Sequence, residues 1–137
     1  MKRIIIFYAP LGKDTPLDKI GGAEAGCLKT KAIYESAGYK VKVIDKPAMS
    51  KGKLRFLVEM SFVPMKLISS ILQYGKSTPV HIVGFYTKIA NFEKLLMNIS
   101  HLMGSKVIYE LRNGSMVQTY LEGTTNYRNT LESLLLK

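Results

Sequence analysis

Hydrophobic and polar positions follow two rhythms along this chain. Residues 2–9, Lys-Arg-Ile-Ile-Ile-Phe-Tyr-Ala, form an unbroken β-branched and aromatic run ended by Pro10 and Gly12, the pattern of a strand buried on both faces. After a polar loop and the pair Gly21-Gly22, the residues Ala25, Leu28 and Ala32 recur at helical spacing, with Lys29, Lys31 and Glu35 between them. Gly38 supplies a C-terminal stop. Residues 39–44 then alternate polar with apolar, which predicts a second strand with one face partly wet. Residues 51–76 are helical in character but contain Pro64, so the pattern predicts two helices or one kinked helix, with stripes Leu54, Leu57, Val58 and Met65, Ile68, Leu72. Residues 80–85 predict a third strand. Phe92, Leu95, Leu96, Ile99 and Leu102 mark a helix closed by Gly104, and residues 106–111 a fourth strand. A short helix over 117–121 and a last helix capped by Asn126 and carrying Leu131, Leu134 and Leu135 complete the series.

Strand and helix in alternation, without repeat or linker, predict an α/β fold: a Rossmann-like, doubly wound parallel sheet forming a single domain over residues 1–137. The length agrees, since 137 residues with 47% hydrophobic content bury one sizeable core and not two. The lone Cys27 makes no intrachain disulfide, and the short apolar run after Arg3 lacks the form of a secretion signal, which points to a cytoplasmic, reducing setting. Arg55, Glu59 and Lys66 interrupt the most apolar stretch and disfavour a spanning helix.

Charge changes the picture more than composition does. Twenty Lys and Arg against ten Asp and Glu give a formal charge of +10. Residues 40–66 carry seven of those cations against two carboxylates, half of the whole excess. Such a field attracts phosphates, whether of a phosphorylated substrate, a nucleic acid or an anionic lipid surface. The nucleic-acid reading lacks support from any aromatic RNA-binding string, KH-type loop or helix-turn-helix spacing. In residues 51–66, Lys51, Lys53, Arg55 and Lys66 flank Phe56, Leu57, Val58, Phe62 and Met65. This predicts either a basic helix lying on an anionic membrane, with Lys51, Lys53 and Arg55 in contact, or an apolar series buried in the core beneath solvated lysines.

Three further places invite chemistry. In sheets of this kind ligands sit beyond the carboxyl ends of the strands, and a glycine pair opening a helix lets backbone N–H groups approach a phosphate. Gly21 and Gly22 fit that description, although their spacing is not the dinucleotide fingerprint; close helix–strand packing would equally call for glycine there. His81 and His101 have no Cys, His or carboxylate at ligand spacing, so no metal is expected. Cys27 has no evident base partner for a nucleophilic role.

The opening strand, then Gly21-Gly22-Ala23-Glu24, then Leu28, and finally residues 34–44 (Tyr-Glu-Ser-Ala-Gly-Tyr-Lys-Val-Lys-Val-Ile) resemble the start of family-four glycosyltransferases of the GT-B fold. Residues 79–85 and 106–114 resemble that family's third strand and its fourth strand with the following loop. The resemblance covers most of the chain but only the N-terminal, acceptor-side half of such an enzyme. It implies that Gly21 and Gly22 face the donor diphosphate across a cleft, that Glu24 fixes their loop, and that Arg112, Asn113 and Gly114 lie near the acceptor. Glu110 stands where the family commonly has a histidine, and no catalytic residue is assigned. The half that holds the nucleotide sugar is not represented, so the resemblance implies a truncated domain, inactive alone and needing no cofactor of its own, with a saccharide or lipid-linked acceptor as partner and a peripheral place on the cytoplasmic face of a membrane. A stand-alone Rossmann-like or flavodoxin-like domain binding nucleotide or phosphate is the rival reading, since the same fold logic applies without sugar transfer.

Overall fold

The computed structural model describes residues 3–12, 17–85, 89–112 and 121–135, with no side chain described at 17 and 127. Strands β1 (Arg3–Ala9), β2 (Tyr39–Asp45), β3 (Val80–Gly84) and β4 (Val107–Leu111) form one all-parallel sheet in the order β2-β1-β3-β4. Helices α1 (Gly22–Ser36), α2 (Lys53–Tyr74), α3 (Ala90–Leu102) and α4 (Thr125–Leu135) connect or follow them. The chain is therefore α/β and Rossmann-like, as the alternating pattern predicts.

The direction of the connections decides which face each helix covers. From β1 the chain passes to β2 on one side, then crosses back to β3 and on to β4. Right-handed crossovers put α1 on one face and α2 and α3 on the other. Alternating side chains of β1 serve both layers. Ile6 and Tyr8 join Val80 and Ile82 against Val63, Leu67 and Ile71 of α2, Leu96 and Met97 of α3, and Leu131 and Leu134 of α4. Phe7 and Ala9 join Val83 against Cys27 of α1. Five consecutive residues of β1, Ile5 to Ala9, are buried, which accounts for its unbroken apolar run.

Both expected glycine stops hold. Gly38 follows α1 with φ +85° and Gly104 follows α3 with φ +82°, left-handed values that favour residues without a Cβ.

Helix faces depart from the sequence reading in two places. The stripe expected on α1 through Ala25, Leu28 and Ala32 does not face the sheet; Leu28 is exposed and Cys27 is the fully buried residue. Small and polar side chains supply the inner face of α1, so hydrophobicity gives no contrast to read. In α2 both expected stripes are turned to solvent. The buried positions are Phe56, Met60, Val63, Leu67, Ser70 and Ile71, while Leu54, Leu57, Val58, Phe62, Met65, Ile68 and Leu72 are exposed. Two apolar stripes run along one helix, and spacing alone does not choose between them. Pro64 lies inside a single continuous helix rather than between two. Its missing donor forgoes one backbone bond, which the packing of Met60, Val63 and Leu67 offsets. At the end of the chain α4 begins at Thr125, so Asn126 lies within the helix rather than capping it, and Leu135 is exposed beside the buried Leu131 and Leu134. The helix expected over 117–121 falls mainly outside the described residues.

Opposite sides of α2 should respond differently to truncation. Leu67→Ala, at a fully buried position, is expected to cost about 2–5 kcal/mol, and Leu72→Ala less than about 0.5 kcal/mol. Urea unfolding of the two variants measures both; equal losses would mean that the helix is turned otherwise.

Candidate functional site

Because the chain leaves β1 in one direction and enters β3 in the other, the loops after these strands diverge. Such a switch point opens a crevice at the carboxyl edge of the sheet, where ligands of doubly wound folds bind. Around it stand residues 9–12 after β1, Asp45 and Lys46 at the end of β2, Gly84 and Phe85 at the end of β3, and the first turn of α1. A cavity of about 300 Å³ opens beside it, lined by Pro10, Gly12, Glu24, Asp45, Lys46, Lys51 and Lys66 among others. The Asp45 carboxylate accepts the Leu11 N–H at 3.0 Å and so anchors the loop that forms one wall.

Gly21 is the N-cap of α1 and no side chain caps the helix. Its carbonyl accepts the Ala25 N–H, while the first N–H groups of α1 lack a side-chain cap. A Cβ added at Gly22 would meet nothing within 4 Å, so close packing does not require glycine there. A Cβ at Gly21 would lie 2.7 Å from Glu24 Oε2, because the Glu24 carboxylate folds back over the start of its own helix. Glu24 is thus both a wall of the cavity and a negative charge at the positive end of α1.

Two polar networks lie beneath the crevice, one on each face of the sheet, the first buried and the second partly exposed.

On the α2 and α3 face, Lys46 Nζ lies 2.9 Å from Glu93 Oε1, with the two side chains 8% and 0% exposed. The Tyr109 hydroxyl donates to Glu93 Oε2 at 2.9 Å. The ammonium also stands 4.5 Å from the centre of the Phe85 ring and 5.9 Å from that of Tyr8. Burial, reinforced by the Glu93 charge, pushes the phenols of Tyr8 and Tyr109 well above the usual range, so both stay protonated. Gly84 makes room for this pairing: a Cβ there would collide with the Tyr109 hydroxyl and come within 2.6 Å of Glu93 Oε2.

On the α1 face the network is Tyr34–His81–Glu110–Arg112–Thr30. The Tyr34 hydroxyl is 2.9 Å from His81 Nδ1, and Glu110 Oε2 lies 3.1 Å from Nε2, off the line of a well-formed hydrogen bond. Arg112 donates through Nε to Glu110 Oε1 at 2.6 Å and through Nη2 to Thr30 Oγ1 at 2.8 Å. Thr30 in turn donates to the Gly26 carbonyl at 3.1 Å. The guanidinium lies so close to α1 at Gly26 that a Cβ there would collide with Nη1. Burial holds the His81 imidazole below its ordinary pKa, opposed in smaller part by Glu110. The Glu110 hydrogen bond raises that of Arg112, and burial pushes the Cys27 thiol up.

The sequence-predicted residues therefore divide. Glu24 and Lys51 line one cavity, with Gly21 and Gly22 adjoining it at the start of α1. Arg112 belongs to the network under α1, tied to Glu110 and Thr30 rather than standing free in a surface loop. Asn113 and Gly114 lie outside the described residues. Lys53 and Arg55 are exposed in the first turn of α2, Arg55 paired with Glu59 at 2.7 Å. The sequence reading missed Lys46, Glu93, Tyr109 and Glu110 as members of networks, and missed Gly26 and Gly84 as the glycines that close packing demands. Only the register of β3 with β4, which sets Val83 against Glu110, brings His81 a carboxylate neighbour. Among the described residues no group of three His, Cys, Asp or Glu side chains is placed to hold a metal ion. No protein-family model matches the chain, and neither the curated proteins nor the solved structures give a match.

Two measurements test this geometry. Gly26→Ala should displace Arg112 and lower the melting temperature, while Gly22→Ala should leave it unchanged or raise it slightly, since alanine favours a helix; the reverse order would contradict the packing described. For pH, the folded pKa of His81 lies below its unfolded value of about 6.5, so between the two the unfolded state binds more protons. Stability should fall as pH drops through about 6.5, and His81→Gln should remove that part of the slope in thermal melts.

Proposed function

We propose that the chain is the acceptor-side half of a GT-B glycosyltransferase, which passes a sugar from a nucleotide-sugar donor to a saccharide or lipid-linked acceptor. One observation carries the reading. The first turn of α1, without a side-chain cap and with open space at Gly22, stands at the switch-point crevice beside a cavity walled by Glu24, Lys46 and Lys51. Backbone N–H groups at a helix N-terminus suit the diphosphate of such a donor, which here takes the place of the Glu24 carboxylate as that side chain turns aside. In this reading a second, donor-binding half holds the nucleotide, and Gly21 and Gly22 meet its diphosphate across the cleft. Arg112 acts through the network that stiffens α1 against β4 and so orients that first turn. Sugar transfer needs both reactants fixed in a productive geometry, and that positioning supplies a large share of the rate. The half described here therefore transfers nothing alone. An acceptor embedded in or bound to the inner face of a membrane agrees with the basic excess of residues 40–66.

Incubation with a panel of nucleotide sugars should give no turnover above background. Backbone NMR shifts should move at Gly21, Gly22 and Glu24 when diphosphate-bearing sugars are added, and Gly22→Val should abolish the movement without unfolding the chain. Turnover by the chain alone that Gly22→Val removes, or tight saturable binding of a free mononucleotide at the same residues, would replace this reading with that of a self-sufficient nucleotide-binding domain.

A further inference from the structure

Among the described residues, seven of the exposed large hydrophobics lie on α2. Leu54, Leu57, Val58, Phe62, Met65, Ile68 and Leu72 are all exposed, several heavily: Leu54 78%, Met65 63% and Leu72 66%. At the α-helical pitch they fall within an arc of about 140° and run the length of a helix about 33 Å long. The opposite side, with Met60, Val63, Leu67 and Ile71, is buried against the sheet. Although α2 has the length and apolar content of a membrane span, that packing holds it flat on the domain.

A basic rim lies beside the stripe. The flank of α2 facing β2 carries Lys66, Ser69 and Gln73, and between it and the edge strand runs a groove of about 510 Å³ that also takes in Lys42, Asp45 and Ser70. Lys40, from the same strand, reaches the ring of Tyr74 at the far end of α2. At the near end stand Lys51 and Lys53. Cations beside a long apolar face match a surface that is itself apolar beneath and anionic above. A second copy of this chain offers no such match, since it brings another +10 and the same lysines to the contact.

We propose that α2 lies in the headgroup layer of an anionic bilayer, its apolar stripe reaching the acyl boundary and the groove between Lys42 and Lys66 receiving lipid phosphates. The sequence-level alternative, core burial of the apolar series, holds for Phe56 alone among the five residues named; Leu57, Val58, Phe62 and Met65 face outward. The contact thus centres on the stripe and groove, with Lys51, Lys53 and Arg55 at one end. It does not depend on the glycosyltransferase reading, because vesicle binding and sugar transfer are read separately.

Co-sedimentation of the full chain with vesicles of pure phosphatidylcholine, and of an equal mixture with phosphatidylglycerol, tests it. Binding should appear on the mixed vesicles, fall steeply with added salt and be weak on neutral ones. Lys42→Glu with Lys66→Glu should weaken it roughly tenfold or more, and Leu57→Ser with Phe62→Ser comparably, with thermal melts confirming that both variants remain folded. Equal binding to both vesicles, binding to neither, binding unchanged in either folded variant, or a dimer in solution that both variants dissociate while vesicles go unbound would each overturn the proposal.

Discussion

Handedness of the crossovers is the constraint from which the rest of this structure follows. A parallel strand pair linked by a helix closes comfortably in one sense only, and the chain makes this turn to β2 before reversing toward β3. The reversal sends α1 to one face and α2 and α3 to the other. It also parts the loops after β1 and β3, so the crevice is a by-product of topology before any side chain is chosen. β1 and β3, the two inner strands, have a strand on either side and helices on both faces, which explains why each carries five successive buried residues.

Polar groups under the crevice are tolerated because geometry as well as charge pairs most of them. Glu93 has no exposure, and its two oxygens go to an ammonium and a phenol supplied by elements far apart in sequence. Removing one partner of such a pair usually costs about 3–5 kcal/mol because the other charge is left buried. The space for these groups comes from missing side chains: Gly84 for Tyr109 and Glu93, Gly26 for Arg112. Both networks brace the ends of strands, and so they hold the walls of the crevice to the sheet. Each side of the sheet has one exception: the buried Tyr8 hydroxyl and His81 Nε2 find no hydrogen-bond partner among the described residues, although the Glu110 carboxylate stands 3.1 Å from the latter.

What the sequence discloses follows from how much contrast each element carries. All four strands and the helices α1 to α3 are readable because β-branched runs, glycine stops and helical spacing agree with one another, as at Gly38 and Gly104. The inward sides of α1 and α2 are not readable. α1 presents Cys27 and Thr30 where a periodic search wants leucine, and α2 is apolar on two sides, so its most regular stripes are the exposed ones. Of the site, the start of α1 is legible from its glycine pair. The pairings of Lys46 with Glu93 and of His81 with Glu110 are not, since each joins residues tens of positions apart through strand register or loop placement. Arg112 could be picked out, but not its partners, which depend on how closely α1 approaches β4.

β2 forms one edge of the described sheet, and its backbone there has no neighbouring strand. Lys40 and Lys42 sit two residues apart on that edge, both directed to the side of the sheet that carries α2. A neighbouring copy that added its own β2 in antiparallel fashion, the pairing that keeps α2 on the same side of both sheets, would bring the lysines of the two strands together on that side, where like charges repel. The same cations that border a greasy helix thus discourage end-to-end growth of the sheet, and a chain with so much apolar surface keeps a built-in resistance to fibril-type aggregation.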